Sequence, residues 1–247
     1  MELEFEQGSD AWKEARYEMV TATDVSRILG LDPACSKLKL FRQKIEHVDA
    51  ADHVDLRSQK MMLLGRNFER TALLSWQSLY LKEGRGYLSS PGRRPRLFSH
   101  RIHSWLGGSP DWLFESDGLL VEIKTHWFPS PASAKPMMNV FDLPPKYYLQ
   151  VQTYLEVLDY ELAHLYSWTL SQGSHIFAVR RDRVLFQGVV LPELNAFHAK
   201  MEEFRDKPLT GEYLRALNRE MRMTQVRKDE LLDEVLRSIS VHVQLVC

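Results

Sequence analysis

Cysteine is nearly missing from this chain of 247 residues: Cys35 and Cys247 are the only two, and they stand far apart. That excludes a disulfide framework and a cysteine-rich zinc or iron–sulfur site, and it points to a reducing compartment. No apolar run approaches the roughly 20 residues a helix needs to span a bilayer. The opening segment, MELEFEQGSDAW, has no basic stretch leading into an apolar one. No secretory leader is expected, and the protein reads as intracellular, in cytoplasm or nucleus, with no membrane partner. An excess of one charge is lacking too, since 32 Lys and Arg stand against 33 Asp and Glu. Internal repeats and low-complexity tracts are absent. What remains is an ordinary globular composition, 44% hydrophobic and 26% charged, long enough to bury a core without staples.

The distribution of charge says more than its sum. From Lys82 to Trp105 the basic residues are Lys82, Arg85, Arg93, Arg94, Arg96 and Arg101, against Glu83 alone. A second basic run holds Lys37, Lys39, Arg42 and Lys44. Basic segments in a neutral chain suit one phosphate-facing side, and equally a solvated loop and a solvated helix face.

Periodicity divides the chain into helices and strands. Ser9 or Asp10 is placed to cap a first short helix bearing Trp12, Ala15 and Arg16. Thr21, with Asp24 three residues on, has the capping-box pattern and is expected to open a helix that Gly30 stops. A basic helix is predicted over 36–46, a polar loop over 47–58, and a long helix over 59–81 with Leu64, Phe68, Ala72, Trp76 and Leu79 on one face. A strand is read over 96–103, and a hairpin from the apolar runs 111–114 and 119–124 around Asp117-Gly118. Residues 129–145, rich in proline, are irregular and lead into a helix over 146–158. Strands follow over 162–168, 176–180 and 184–190, then helices over 192–206, 211–223 and 228–238. The order is α+β or mixed rather than a strict β-α-β alternation.

The hairpin carries the chemistry. Glu122 and Lys124 are two apart on a strand and share a face, with Ile123 turned to a core. A two-residue Asp117-Gly118 turn would set Asp111 opposite Lys124 and Leu113 opposite Glu122, bringing all three ionisable groups to one face. A slip of one residue would turn Asp111 away. Two carboxylates beside a lysine suit Mg²⁺ and phosphoryl chemistry, because the ion takes oxygen ligands and activates a bound water. The Glu-Ile-Lys triplet alone fits a surface ion pair as readily.

The triplet has company. Gly108-Ser109-Pro110-Asp111 followed by Val121-Glu122-Ile123-Lys124 resembles the core of the PD-(D/E)xK nucleases. Four more segments resemble the lambda-exonuclease/YqaJ-like viral recombinase branch: Gln7 to Trp12 with Arg16, Val20-Thr21-Ala22-Thr23, Gly65 to Glu69, and Leu149 to Tyr154. They occur in the order that family uses and span roughly residues 5 to 170.

The resemblance implies a restriction-endonuclease-like α/β (α+β) fold, a central mixed sheet flanked by helices. One nuclease domain is expected, with an N-terminal helical DNA-end-binding part (1–58), a catalytic core (59–190) and C-terminal helices (191–247). By resemblance, Asp111, Glu122, Glu69 and the main-chain carbonyl of Ile123 hold Mg²⁺, two ions to a site and with Mn²⁺ able to substitute. Lys124 is the catalytic lysine, and Gln150 lies behind the site. Arg16 resembles an arginine that receives a 5′-phosphate, with Thr21 and Thr23 beside it; Glu18 stands where relatives often have glycine. Arg93, Arg94 and Arg96 are assigned to the DNA backbone. The implied activity is 5′→3′ digestion of double-stranded DNA in recombination or repair. Its implied partners are DNA with free ends, a homotrimer of the chain and a single-strand annealing protein. An endonuclease or nickase of the same fold, or an inert DNA-binding protein, are the alternatives.

Overall fold

The computed structural model describes residues 1–5, 7–48, 56–82, 88–89, 91–126, 137–170, 173–207 and 209–246. Residues 49–55 of the polar segment, Arg85, Ser90, residues 129–136 and Cys247 lie outside them. The N-terminal part runs β1 (Glu2–Leu3), α1 (Asp10–Glu18), β2 (Val20–Thr21), α2 (Val25–Ile28) and α3 (Lys37–Ile45). Next come the long helix α4 (Leu56–Lys82) and strands β3 (Leu97–Ser99), β4 (Leu106–Gly108), β5 (Trp112–Phe114) and β6 (Leu119–His126). Helix α5 (Pro145–Leu158) crosses over to β7 (Leu162–Thr169), which β8 (His175–Arg180) follows. Helices α6 (Arg183–Leu185), α7 (Leu191–Phe204), α8 (Gly211–Met221) and α9 (Gln225–His242) lead to a last strand, β9 (Val243–Leu245). No helix among the described residues is long and apolar enough to cross a membrane.

Side-chain alternation builds the centre. The main sheet has the order β5-β6-β7-β8-β9, with β6 and β7 parallel and the other pairs antiparallel. A parallel pair needs a long connection, and α5 supplies it. Leu119, Val121 and Ile123 of β6 join Tyr166, Trp168 and Ile176 against Ala72, Leu73 and Trp76 of α4. The opposite face, with Leu113, Leu120, Leu165, Phe177 and Val179, packs with Leu149 and Val151 of α5 and Leu231, Val235 and Ile239 of α9. The result is a mixed sheet between helices, as the resemblance implied. On β6, Glu122 and Lys124 therefore follow Leu120 on the α5 side.

A smaller sheet, β1-β3-β4-β2, holds the N-terminal part. Its β2 runs parallel to β4, with Val20 opposite Leu106 and Thr21 opposite Gly107. The C-terminal ends of both strands thus reach the same edge. There Ala22 donates its N–H to the Gly107 carbonyl (2.9 Å), just before the Ser109-Pro110-Asp111 segment that links this sheet to the main one.

Three expectations are corrected. The hairpin does not close with two residues: Glu115–Asp117 form a 3₁₀ turn, and Gly118 follows at φ 57°. Ser89 donates to the Asp117 carboxylate from both its N–H (3.1 Å) and its hydroxyl (2.7 Å). With the longer turn, Leu113 faces Leu120 rather than Glu122. The shift is even, so Asp111 keeps its face but comes next to Glu122 instead of Lys124. Thr21 ends a strand rather than opening a helix, and Asp24 is the residue that precedes α2. Residues 184–190, read as a strand, are helical, continuing from α6 through a π-helical turn (Phe186–Val190) into α7. The carboxylate of Asp182 starts that helix by accepting from Leu185 N–H (2.9 Å), and β9 takes the place beside β8.

The contact between the small strands is tight at Gly107. A Cβ there would stand 2.2 Å from the carbonyl oxygen of Phe98 and 2.3 Å from Met19 Cε. Gly107→Ala is expected to cost about 1–3 kcal/mol through overpacking, read as a lower urea midpoint. A midpoint equal to that of the unsubstituted protein would contradict this packing.

Candidate active site

Glu122 is 3% exposed, and its Oε1 accepts from Lys124 Nζ (2.7 Å) and from Gln150 Nε2 (2.8 Å). Lys124 also donates to Gln150 Oε1 (2.9 Å). The side-chain amide of Gln150 is thereby fixed in direction, its oxygen toward the lysine and its nitrogen toward the carboxylate. Gln150 Nε2 reaches Tyr154 OH as well (2.9 Å), and that hydroxyl donates to the Ser109 carbonyl (3.1 Å). The ammonium of Lys124 lies 4.7 Å from the ring centre of Tyr147. One turn after another, Tyr147, Gln150 and Tyr154 of α5 face the open end of β6.

Asp111 stands where the two sheets join. Its Oδ2 accepts from Ile123 N–H (2.7 Å), beyond the point where β5 stops pairing with β6. Burial pushes its carboxyl well above the usual carboxylate range, and the nearby charges of Glu122 and Glu69 push it further, against a smaller opposing pull from Lys124. Glu69, on α4, receives Arg94 Nη2 at 2.5 Å. The second carboxylate oxygen of Glu122 is buried without a hydrogen-bond partner among the described residues.

Among the described residues no three acidic, histidine or cysteine side chains already stand at ion-binding separation. Arg94 holds Glu69 and Lys124 holds Glu122. An unpartnered buried oxygen on Glu122, with an aspartate whose ionisation two glutamates oppose, nonetheless fits a divalent cation: all the donors are hard oxygens, and their charge is undercompensated.

Along the same edge lies the second group of expected residues. Arg16 Nη2 donates to Thr23 Oγ1 (3.2 Å) and, at 3.5 Å, toward Thr21 Oγ1; its guanidinium sits 4.4 Å over the Trp12 ring. Trp12 Nε1 in turn donates to Ser109 Oγ (3.2 Å), next to Asp111. Thr23 is exposed, whereas Thr21 is fully buried. Glu18 does not face this group unpaired: it pairs with Arg205 and with His47.

The three loop arginines differ. Arg93 is taken up by Glu2 (2.7 and 2.8 Å) and Glu115 (2.5 Å), Arg94 by Glu69, and Arg96 is exposed. Sequence reasoning missed the hydroxyl of Tyr154 and the part played by Lys44, which it read only as one charge on a basic helix. Lys44 is 6% exposed.

The model of the YqaJ-like viral recombinase domain matches residues 11–161 of this sequence. The chain belongs to that family. The protein is accordingly an enzyme, a DNA-hydrolysing nuclease. Among solved structures, this YqaJ-like chain is similar to an alkaline exonuclease from Laribacter hongkongensis, at 19% identity and a TM-score of 0.57 over 87% of this chain and 100% of the other. The same enzyme in complex with dAMP matches at 18% identity and a TM-score of 0.58, over 86% of this chain and 97% of the other. Likeness at that identity establishes a common restriction-endonuclease-like fold. No curated protein matches the chain in sequence.

The crowding around Asp111 has a sign that can be measured. Unfolded, its carboxyl ionises in the usual range; folded, it ionises at higher pH. Stability is therefore lost as pH rises from the unfolded to the folded value, and the penalty is complete above it. Asp111→Asn, which can still accept from Ile123 N–H, is expected to melt higher than the unsubstituted protein at neutral pH in a chelator. The gap should close toward about pH 4. A variant that melts at or below the unsubstituted protein at neutral pH contradicts the crowding.

Proposed function

We propose that the protein is a Mg²⁺-dependent exonuclease that digests double-stranded DNA in the 5′→3′ direction and leaves a 3′ single strand. The observation that carries this is the buried, unpartnered Oε2 of Glu122 beside the crowded carboxyl of Asp111. Glu69, Asp111, Glu122 and the carbonyl of Ile123 would hold the metal, two ions in full occupancy, with Mn²⁺ an adequate substitute. Support for Ile123 comes from its N–H, which meets Asp111 on the edge of β6 that β5 leaves open; in a strand the carbonyl shares that edge. When bound, the metal lowers the pKa of a water and neutralises charge on the phosphate.

The remaining steps belong to the chain. Lys124, tethered by Glu122 and Gln150, presents its ammonium to a phosphate oxygen that gains charge in the transition state. Gln150 keeps the lysine from swinging, and Tyr154 keeps Gln150 in register with Ser109. Arg16, which forms no ion pair among the described residues, receives a 5′-terminal phosphate with Thr23. Arg94 and Arg96 contact backbone phosphates, and Arg93, clamped by Glu2 and Glu115, fastens the loop that bears them. A homotrimer around the duplex and an annealing protein to take the 3′ strand complete this reading.

The test uses linear duplex labelled at the 5′ or the 3′ end, beside a closed circle, in Mg²⁺ and in EDTA. Early release of the 5′ label, an intact circle and no reaction in EDTA are expected. Cutting of the circle would make the enzyme an endonuclease, and full activity in EDTA would remove the metal. Asp111→Ala, Glu122→Ala and Lys124→Ala should each abolish cleavage in a folded protein, with double variants hardly worse because the three act as one unit. Near-normal cleavage by any single variant overturns the site.

A further inference from the structure

Thr21 cannot touch a ligand, yet its hydroxyl lies between the buried charges of the N-terminal part and the guanidinium of Arg16. Asp24 Oδ2 accepts from Thr21 N–H (2.9 Å), from Thr21 Oγ1 (2.7 Å) and from Lys44 Nζ (2.7 Å). Lys44 donates further to the carbonyls of Arg16 (2.6 Å) and Met19 (2.7 Å), at the C-terminal end of α1. An ammonium has three N–H donors, and here each has an acceptor. The side chains of Lys44 and Asp24 are 7% and 6% exposed. Burial alone would raise the Asp24 carboxyl, but Lys44 and Arg16 outweigh it and hold the group below its usual range. The same burial draws Lys44 below the usual lysine range, with Asp24 offsetting part of the shift.

Counting protons gives this pair a direction. A hydroxyl has one proton, and that of Thr21 goes to Asp24. The Thr21 oxygen is then an acceptor toward Arg16 Nη2 and toward Thr23 Oγ1, 3.0 Å away. Arg16 is thus steered by two hydroxyl oxygens and the Trp12 ring, with no carboxylate in direct contact among the described residues. Lys44 cancels Asp24, so no net negative charge sits behind the guanidinium.

We propose that the buried Asp24–Lys44 pair, acting through the Thr21 hydroxyl, is the positioning element that aims Arg16 at the 5′-phosphate of a DNA end. This rests on the end-binding role proposed above for Arg16. Thr21 is accordingly a positioning residue and Arg16 with Thr23 the contact. A plain structural staple between α1, β2 and α3 would need the ion pair but would be indifferent to the Thr21 proton.

The readout is the ratio of kcat/KM on 5′-phosphorylated to 5′-hydroxyl duplex, measured within each variant so that a general loss of activity cancels. The unsubstituted enzyme should favour the phosphate by about tenfold or more, the scale of a charge-assisted hydrogen bond. Thr21→Val keeps shape and leaves the ion pair intact, and should bring the ratio to within about threefold of unity, mostly through KM; Thr21→Ser should restore it. Asp24→Asn with Lys44→Met removes both charges together and should lose the preference at a melting temperature that shows a folded protein. Where that double variant does not fold, the Thr21 pair of variants decides alone. A Thr21→Val ratio equal to that of the unsubstituted enzyme overturns this inference and leaves the end pocket standing. An unsubstituted enzyme that treats both ends alike removes the pocket itself, and the inference with it.

Discussion

Two carboxylates brought together in water would keep their distance or share a proton, but the pairing of β5 with β6 does not give Asp111 and Glu122 that choice. Backbone register sets them side by side, and the Ile123 N–H holds Asp111 there. Glu69 adds a third charge from α4, strongly enough to oppose ionisation of Asp111. Repulsion of this kind is a cost that the rest of the fold must carry, and the apolar faces on both sides of the sheet carry it. Lys124 and Arg94 compensate in part. What they leave uncompensated is the negative charge on which the proposed cation site rests.

The second constraint is the joint between the sheets. Because β2 and β4 are parallel, the segment bearing Thr21 and Thr23 ends beside the one bearing Ser109 and Asp111. Trp12 spans the two, stacking on Arg16 and donating to Ser109. Tyr154 reaches the same serine from α5 through its carbonyl. Ser109 is thus the point where the Arg16 group and the carboxylate group share a support. Holding a terminal phosphate at a fixed offset from the cutting centre is what an end-directed nuclease requires, since near-attack geometry depends on sub-ångström placement.

Much of this was legible in the sequence, for reasons that differ by element. The shared face of Glu122 and Lys124 follows from the period of a strand, and the place of Asp111 on that face survives the error in turn length because a shift of two preserves sides. The long helix and its Ala72–Trp76 stripe follow from helical spacing. Residues 184–190 misled because Val184, Phe186, Val189 and Val190 read as a strand, whereas the Asp182 carboxylate caps them as a helix and β9, from the far end of the chain, pairs with β8. The very short strands β1, β2 and β4 have no periodicity to detect. Lys44 was opaque for another reason: a lysine in a basic helix reads as solvated, and its burial depends on Asp24 and two carbonyls contributed by other segments. The Gln150 orientation was likewise invisible, although the motif that contains it was not.

The central claim is that the crowded carboxylates form a divalent-cation site, and direct titration tests it most simply. Mn²⁺ added to the DNA-free protein should give saturable heat by calorimetry and raise the melting temperature, as binding to the native state alone requires. Glu122→Gln, folded and otherwise unchanged in circular dichroism, should lose both responses. Equal binding by the two proteins, or none by the unsubstituted one, would contradict the account.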